Sequence, residues 1–508
     1  MAALLSALWP GLGHLGLGAR RAGWILAVPP LLILLALIVA LASPGRLGTL
    51  ALLLDPAVVA ALLVGEVAFL AWRLGAVADA FRRGQGRPRG RAAALTVAAL
   101  ALVLVPSVYA AYLTELAREA AVLVFSTVEA PYVPTAVAPD VKDDDFEPSP
   151  TEGVPPSAPP SQGRFTVLLI GMDSGPNRSE ALTDTMIVAS LDPIAGVVSM
   201  VSVPRDLVDT PLPDGRIFRP KVNSLVSYVN RYPAKFPGAT SGQGVLAAAL
   251  GTLLNVHVDG WAQVNLPGFV KVIDAIGGVD VTVRSALCDY RYREYGFDGF
   301  AINAGHYHLG GLAALAYARI RHSYGESDFT RAARQGEIVV AARDRVVKGG
   351  FLNDPAGFID AMGKLLQTSL EPSVIGSYVN QAATITRDHV YRAVIQYPIV
   401  HGARDDPRGS VLIPRLNLIH DLAARAFPPA GTLPVGLETI PEDSTAPTKT
   451  NLPRVTCSAP PQPTPAPTPT VTLEPSPSPT VEPTAPPPTP LPSATDKPGG
   501  GPPTPGPT

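Results

Sequence analysis

Cysteine is almost absent from this chain, which has only Cys288 and Cys457 among 508 residues. Two thiols cannot build a disulfide scaffold or a cysteine-rich zinc site, and the sequence leaves open whether they form one bridge or stay unpaired. An excess of basic residues is missing too, since the formal net charge is −2 at pH 7. Proteins that bind nucleic acid usually carry such an excess, so the composition argues against that class.

Hydrophobic residues are unevenly distributed and predict a membrane domain over residues 1–126. Within it, the stretches 24–42, 50–72 and 92–113 are each about long enough to cross a ~30 Å hydrocarbon layer as a helix. Arginines cluster before the first stretch and between the second and third, while Arg46 alone lies between the first and second. Because positive residues favour the cytoplasmic side, we expect a multi-pass protein of the cell membrane, with a cytoplasmic N-terminus and everything after about residue 114 outside.

Two further segments have compositions that do not support a core. Residues 127–163 are rich in proline and acidic residues, which predicts an extended, flexible linker. Their aspartate run, 143–145, lacks the glycine and ligand spacing of a calcium-binding EF-hand loop. Residues 441–508 are rich in proline, threonine and serine, which predicts a disordered tail biased toward extended conformations.

Residues 164–440 have the patterns of one α/β domain. Apolar runs of strand length and amphipathic stretches follow one another without an internal repeat. This order predicts an α/β sandwich, in which helices cover a mixed central sheet outside the membrane. Strands are expected at 165–170, 183–188, 197–203, 257–264, 279–283, 391–396 and 411–414, and helices at 244–255, 268–275, 309–317, 331–347 and 355–367.

Two aspartates flank the first loop of this domain. Asp173 follows the first apolar run and Asp184 opens the second, so both are expected at one edge of the sheet. Carboxylate oxygens suit Mg²⁺ or Mn²⁺, and Mg²⁺ completes its shell with waters and substrate phosphates. The alternative is that both aspartates cap loops.

Cationic side chains recur downstream of the carboxylates. Arg205 and Asp206 directly follow a buried strand, where an ordinary surface ion pair is the alternative. Arg319 and Arg321 lie on one side of the chain if it is extended, and two like charges aimed the same way repel unless an anion lies between them. A further cation and an amide come from Lys221 and Asn223.

A second charged group follows at helical spacing. Asp328, Arg331 and Gln335 fall on one helical face, with Arg334 close by. Arginine is the residue expected where phosphate oxygens are gripped by paired hydrogen bonds, so these side chains form a candidate anion site. A solvated, salt-bridged helix face is the alternative.

In this order the residues resemble the LytR-CpsA-Psr family. Eight ordered blocks carry the resemblance, which covers most of the globular domain but neither the membrane domain nor the tail. The blocks are residues 171–173 (GMD), 183–186 (TDTM), 202–206 (SVPRD), 221–223 (KVN), 276–280 (IGGVD), 307–311 (YHLGG), 314–321 (ALAYARIR) and 328–335 (DFTRAARQ).

The resemblance implies a phosphotransferase that moves a glycopolymer from a polyprenyl-diphosphate lipid to a cell-wall acceptor such as peptidoglycan, with Mg²⁺ and with pyrophosphatase as a side activity. It implies that Asp173 and Asp184 organise the metal. The implied catalytic residues are Arg205, Arg319 and Arg321. Asp206 is a further catalytic candidate, because either Asp206 or Asp328 could accept the hydroxyl proton, and the alternative is that these carboxylates orient an arginine. The implied phosphate-binding residues are Lys221, Asn223, Asp328, Arg331, Arg334 and Gln335.

One position departs from the family pattern. Where the family often has an arginine two residues before the second aspartate, this chain has Leu182, and Arg178, four residues earlier, is a candidate to supply that charge from the loop. The departure keeps a non-catalytic protein that binds polyprenyl phosphate or glycan as an alternative. A transcriptional regulator is a weaker alternative, because it requires a cytoplasmic basic domain.

Overall fold

The computed structural model describes residues 2–42, 55–84, 91–134, 145–148, 163–173, 182–440 and 449. The chain divides into two compact units, Met1–Ser458 and Ala459–Thr508, and the second lies outside the described residues. The helices are α1 (Ala2–Leu8), α2 (Leu12–Gly16), α3 (Arg20–Ala42), α4 (Pro56–Arg83), α5 (Arg91–Val124), α6 (Leu225–Arg231), α7 (Gly242–Leu254), α8 (Leu266–Ala275), α9 (Gly311–Arg319), α10 (Asp328–Val347), α11 (Pro355–Leu365), α12 (Pro372–Thr384) and α13 (Leu416–Ala426).

Three apolar helices, α3 to α5, precede the globular domain. Among the described residues two helices are long and apolar enough to cross a membrane, Pro56–Arg83 and Val97–Thr127. These fit a membrane-anchored protein, while three spans with a fixed orientation stay a prediction. α4 begins later than expected because the Asp55 side chain caps it, accepting from the backbone N–H of Ala57 at 2.8 Å. Inside α4, Glu66 accepts a 2.7 Å hydrogen bond from Thr114 of α5.

Helix α5 joins the apolar helices to the globular domain without a break. With 34 residues it is about 50 Å long at 1.5 Å per residue, which exceeds the hydrocarbon layer. Its C-terminal part packs on α11, where Gly363 faces Ala120 of α5. A Cβ atom at Gly363 would lie 2.6 Å from the Cα and Cβ atoms of Ala120, so this crossing depends on the missing side chain.

We therefore expect Gly363→Val to separate α5 from α11. The valine methyl groups meet helix backbone that cannot yield, which typically costs about 1–3 kcal/mol of stability. Limited proteolysis of the full-length protein in detergent should show faster cleavage between residues 120 and 134 than in the parent. Gly65→Ala in α4 is the matched control, because its new Cβ meets nothing within 4 Å. Unchanged protection in Gly363→Val would show that this contact does not dock the domain.

The globular domain is built on a mixed sheet, as predicted. The strands are β1 (Phe146–Pro148), β2 (Phe165–Asp173), β3 (Leu182–Asp192), β4 (Val197–Ser202), β5 (Thr210–Pro211), β6 (Arg216–Phe218), β7 (Gly260–Asn265), β8 (Val279–Val283), β9 (Leu287–Asp289), β10 (Phe300–Ile302), β11 (Gly305–Leu309), β12 (Leu366–Thr368), β13 (Val390–Val394), β14 (Val400–Asp406), β15 (Gly409–Pro414) and β16 (Glu438–Thr439). The order of strands in the central sheet is β12-β7-β2-β3-β4-β13-β16, with β2–β7 and β4–β13 parallel and the other neighbours antiparallel.

Alternation along the central strands separates two faces of the sheet. Leu168 and Ile170 of β2 belong to a core with α7 and α13, whose Leu250 and Ile419 are fully buried. Leu169, between them in sequence, points to the opposite face and lines a cavity. Helices α8 to α11 lie beyond that cavity, so an apolar space remains between the sheet and its helical layer.

The predicted linker, 127–163, is not a free spacer where the structure describes it. Trp261 donates from its indole nitrogen to Glu129 at 2.7 Å, and Tyr132 lies in the main core. Residues Phe146–Pro148 form β1, which pairs with β6, and Phe146 packs against Phe218 at a ring-centroid distance of 6.0 Å. The prediction is wrong for these two segments because single aromatic residues anchor them, which composition averages conceal.

One residue of the predicted tail, Lys449, is described by the structure, and it contacts the domain. Lys449 pairs with β11, donating from its backbone nitrogen to the His306 carbonyl at 2.9 Å and accepting from the His308 nitrogen at 3.0 Å. Its ammonium group lies 5.3 Å from the Tyr307 ring centre. Cys288 is disulfide-bonded, and Cys457 lies outside the described residues.

Candidate functional site

A cavity of about 620 Å³ lies between the sheet and helices α8 to α11. Its walls are apolar over most of their length, with Leu169 and Ile187 from the sheet and Phe269, Val339 and Met362 from the helices. Its other end is strongly polar. The charged and polar side chains predicted from the sequence that line the cavity are Asp173, Asp184, Arg205, Arg319, Arg321, Arg331 and Gln335, and the lining also includes Asp289, Arg291, Arg293, Glu294 and His322.

Strand directions explain why distant residues meet at this polar end. Because β2 and β3 are antiparallel, and β3 and β4 are too, the end of β2, the start of β3 and the end of β4 share one edge of the sheet. Asp173 is the last residue of β2, Asp184 lies near the start of β3, and Arg205 follows β4. The sequence-based expectation of a shared edge is therefore met.

A β-bulge aims Asp184. Gly171 pairs with Thr185, but the next residue, Met172, pairs with Thr183, so Asp184 is the extra residue of β3. A bulge interrupts the ladder and re-aims the side chain it carries, and bulges are common beside functional sites. Strict alternation along β3 does not predict this placement.

Arg205 and Arg319 hold the two carboxylates. Nη1 of Arg205 donates to Oδ1 of Asp184 at 2.5 Å. Nη2 of Arg319 donates to Asp173 at 3.4 Å and to Glu294 at 3.2 Å. Burial raises the pKa of Asp184, but the charges of Arg205, Arg319 and Arg331 outweigh it and hold the pKa below its ordinary value.

Two guanidinium nitrogens at this end are buried without a hydrogen-bond partner in the described part of the chain: Nε of Arg205 and Nη1 of Arg319. Buried polar groups are normally hydrogen-bonded, and leaving a donor unpaired costs about 1–3 kcal/mol. Both arginines line the cavity. An anion with several oxygens, placed between them, would satisfy both donors.

Two further arginines flank this place. Asp328, the first residue of α10, accepts from Arg331 at 2.9 Å and from Arg321 at 3.4 Å. Burial, and then the charge of Arg321, lowers the pKa of Arg331 to about 10. Arg331 is therefore still a cation at neutral pH. Asp328 does not line the cavity, so the structure does not place it among the groups that would face a phosphate. It contacts Arg321 and Arg331 and orients them.

Arg334 was predicted to bind phosphate, and the structure gives it another position. Its Nε donates to the carbonyl of Tyr317 and its Nη2 to the carbonyl of Ile320, each at 2.8 Å, and Nη1 pairs with Glu326. The guanidinium is buried outside the cavity lining. All three nitrogens are engaged, so Arg334 fixes the segment that carries Arg319 and Arg321.

Three other predicted residues lie in a neighbouring cleft, which we call the Arg219 cleft. It has a volume of about 760 Å³. Arg205 lines both this cleft and the apolar cavity, and so joins them. Nζ of Lys221 pairs with Asp206 at 2.8 Å, and Asn223 lines the same wall. The other residues that line the Arg219 cleft are Asp145, Leu182, Arg219, Pro220, Ser224 and Arg408.

Leu182 has a structural consequence in this arrangement. It pairs with Asp173 across the β2–β3 ladder and lines the Arg219 cleft rather than the apolar cavity. An arginine at position 182, as in the family pattern, would therefore add its charge to the Arg219 cleft, which already contains Arg219 and Arg408. Arg178, the proposed substitute, lies outside the described residues.

Sequence reasoning missed Asp289 and Glu294. Asp289 accepts from the backbone nitrogens of Arg321 at 2.8 Å and His322 at 3.0 Å, which fixes the chain just after Arg319. Burial raises its pKa, but three backbone N–H groups lower it further than burial raises it. Both residues line the cavity. No motif marks them, although residues 289–294 are dense in charged and aromatic side chains.

Asp173 and Asp184 are the candidate ligands of a metal ion in this cavity. No group of three or more His, Cys, Asp or Glu side chains that could hold an ion occurs in the part of the chain the structure covers. Asp173 and Asp184 both line the cavity, where Arg319 contacts Asp173 at 3.4 Å and Arg205 contacts Asp184 at 2.5 Å. Two carboxylates beside an anion site fit Mg²⁺, which is often bound by one or two carboxylates together with substrate phosphates.

The LytR_cpsA_psr family profile matches residues 133–406, which is more than half of the chain. The chain belongs to this family. It is 27% identical over 212 residues to a polyisoprenyl-teichoic acid–peptidoglycan teichoic acid transferase, TagU, from Halalkalibacterium halodurans, covering 42% of this chain and 62% of that protein. It is 27% identical over 269 residues to the cell wall biosynthesis protein LcpA of Corynebacterium glutamicum, covering 50% of each.

The chain thus spans about half to three fifths of the length of these curated relatives. Among solved structures, TagT bound to LI-WTA is 20% identical with a TM-score of 0.41, covering 56% of this chain and 94% of that one. Bacillus subtilis TagV is 22% identical with a TM-score of 0.40, covering 52% and 97%.

Proposed function

We propose that this protein is a membrane-anchored phosphotransferase that moves a glycopolymer from a polyprenyl-diphosphate lipid to a cell-wall acceptor such as peptidoglycan. The observation that carries the proposal is the cavity, whose walls are mostly apolar and whose lining also includes six arginines and four carboxylates, among them Arg205, Arg319, Asp173 and Asp184. Only an amphiphile with a long apolar chain and an anionic head matches both parts. The name of the relative TagU supports the same substrate class, and the name of LcpA supports a role in cell wall biosynthesis.

The orientation follows from the helices and flanking charges. The arginine distribution in residues 1–126 supports a cytoplasmic N-terminus and a domain on the outer side of the cell membrane. Continuous helix α5, docked on α11, would hold the cavity near the lipid surface. A polyprenyl chain could then pass from the bilayer to the cavity over a short distance.

The arginines carry the chemistry. An acceptor hydroxyl attacks the phosphorus next to the glycopolymer and forms a new P–O bond. The P–O bond between that phosphorus and the polyprenyl phosphate breaks, and the leaving polyprenyl phosphate keeps the electron pair. Negative charge accumulates on the transferring phosphoryl group and the leaving phosphate, so positioned cations are the main requirement. Arg205 and Arg319 have buried donors ready for those oxygens, and Arg321 and Arg331 add charge. Mg²⁺, when held by Asp173 and Asp184, supplies further neutralisation of the diphosphate.

The second candidate is a non-catalytic receptor for the same lipid. Leu182 favours it, because the cleft beside the arginines lacks one charge that the family often has. A receptor and a transferase bind the lipid equally, and they differ only in bond cleavage. Release of polyprenyl phosphate from a polyprenyl-diphosphate glycan by the full-length protein with Mg²⁺ and a peptidoglycan oligosaccharide separates them, and no release would reject the transferase.

Filling the cavity tests the part assigned to the lipid tail. Ala342 lies on α10 and lines the cavity, so we expect Ala342→Phe to place its ring in the empty apolar space without unfolding the domain. Lost contact with several tail carbons, at about 0.8 kcal/mol per CH₂, predicts at least a tenfold weaker binding of a long-chain polyprenyl phosphate. Native mass spectrometry in detergent measures it. Equal weakening for a short, water-soluble isoprenyl diphosphate would contradict the assignment, because that ligand needs only the polar end.

A further inference from the structure

We propose that the Arg219 cleft is the acceptor site and that it selects a saccharide carrying carboxylate groups. The proposal rests on the proposed function, since it assigns the second substrate of the same reaction. Arg205 lines both the apolar cavity and the Arg219 cleft. Nη1 of Arg205 contacts Asp184, which lines the cavity, and Nε lies 3.6 Å from Asp206, which lines the cleft.

A transferase of this kind must let the donor lipid and the acceptor reach the same phosphorus from two different directions. The lipid approaches through the apolar cavity, so the acceptor hydroxyl must approach from another direction, roughly in line with the leaving oxygen. The Arg219 cleft is the space on the far side of Arg205, and its volume of about 760 Å³ is within the range of saccharide-sized sites. It is open to solvent, as a site for a polymeric acceptor must be.

Charge identifies the class of acceptor. The cleft is lined by four cationic side chains, Arg205, Arg219, Lys221 and Arg408, against the two carboxylates Asp145 and Asp206. Arg205, Lys221 and Arg408 each have a carboxylate partner. Arg219 differs, because its exposed guanidinium makes no hydrogen bond or ion pair with any described residue. Arg219 acts on Asp406 through its charge, but its N–H donors are left for a ligand. A guanidinium binds carboxylate or phosphate with two parallel hydrogen bonds, and carboxylate is the anion that we assign to the acceptor saccharide.

Asp206 is the group in the cleft that accepts the hydroxyl proton. It is held by Lys221 at 2.8 Å and lies beside Arg205, at the point where the cleft meets the cavity. A hydroxyl bound there donates to the Asp206 carboxylate and faces the phosphorus held by Arg205. As the new P–O bond forms, the hydroxyl proton passes to Asp206 and then to solvent, while the leaving polyprenyl phosphate keeps the electrons of the broken bond.

The test uses Arg219→Gln in the full-length protein with Mg²⁺. Donor is a polyprenyl-diphosphate glycan, and two acceptors are compared: a peptidoglycan tetrasaccharide with free carboxylates and the same molecule with those carboxylates amidated. In the parent the acidic acceptor should have the lower KM. In Arg219→Gln its KM should rise about tenfold, to that of the amidated acceptor, while the KM for the donor lipid stays at the parent value.

The matched control is Arg284→Gln, an exposed arginine outside the Arg219 cleft and the apolar cavity, which should leave both acceptor KM values as in the parent. If Arg219→Gln retains the parent's preference, the cleft is not the acceptor site. If it raises the donor KM instead, the cleft holds the glycan of the donor, which also overturns the proposal. Absence of polyprenyl phosphate release in the parent itself would reject the proposed function, a result distinct from either.

Discussion

Arg205→Ala should lower the rate of polyprenyl phosphate release by roughly 10³-fold, since removing one positioned transition-state donor typically costs 10²–10³ and an arginine on a transferring phosphoryl group 10³ or more. Arg205 lines both the cavity and the Arg219 cleft, and its buried Nε has no hydrogen-bond partner among the described residues. Alanine removes that donor and also leaves Asp184 without its 2.5 Å hydrogen bond. The loss should appear in kcat more than in binding of the lipid, because the cavity still holds the tail.

Two variants make this result specific. Arg205→Lys restores a charge but not the planar set of donors, so it should recover about tenfold of the lost rate. Arg284→Gln removes an exposed arginine away from the cavity and should match the parent. The measurement is the initial rate of polyprenyl phosphate release under saturating donor. A rate within threefold of the parent for Arg205→Ala would remove Arg205 from the reaction.

Asp192→Ala should destabilise the domain by about 3–5 kcal/mol, the usual cost of leaving a buried charge without its partner. Asp192 is fully buried at the end of β3 and pairs with Arg164 at 3.0 Å. It also accepts from the backbone nitrogens of Ile194, Ala195 and Gly431 at 2.8–2.9 Å. Burial lowers the pKa of Arg164 and Asp192 raises it, so removing the aspartate strands a buried cation.

Urea unfolding of the full-length protein in detergent, followed through the buried Trp261, measures this change. Asp405→Ala is the matched control, because Asp405 is exposed and surface substitutions usually stay within about 0.5 kcal/mol. The pair lies outside the cavity lining, so activity per folded molecule should persist. A loss below about 1 kcal/mol for Asp192→Ala would mean that water or another group replaces the aspartate.

The sequence predicted the sheet and most of the site because both depend on local patterns. Apolar runs marked β2, β3 and β4, and antiparallel pairing then brings Asp173, Asp184 and Arg205 to one edge. Arg319 and Arg321, which were expected on either side of one anion, both line the cavity, and their role in binding an anion stays a prediction. The order of motif blocks added the family, which the profile match over residues 133–406 confirms.

The parts that escaped prediction depend on single contacts between distant residues. A bulge of one residue aims Asp184, and no pattern along β3 signals it. Arg334 has the same residue type and helical neighbourhood as Arg331, yet one is tied to the carbonyls of Tyr317 and Ile320 while the other faces the cavity. Arg219 sits in a motif-free loop, and only the folded chain places it in the cleft beside Arg205.

The most direct test of the central claim follows the phosphorus itself. The full-length protein in lipid nanodiscs is given Mg²⁺, a peptidoglycan oligosaccharide and a polyprenyl-diphosphate glycan labelled at the phosphorus next to the sugar. The label should move to the acceptor as a phosphodiester, with one unlabelled polyprenyl phosphate released for each linkage formed. Lipid that binds but keeps its label would contradict the account and leave a receptor.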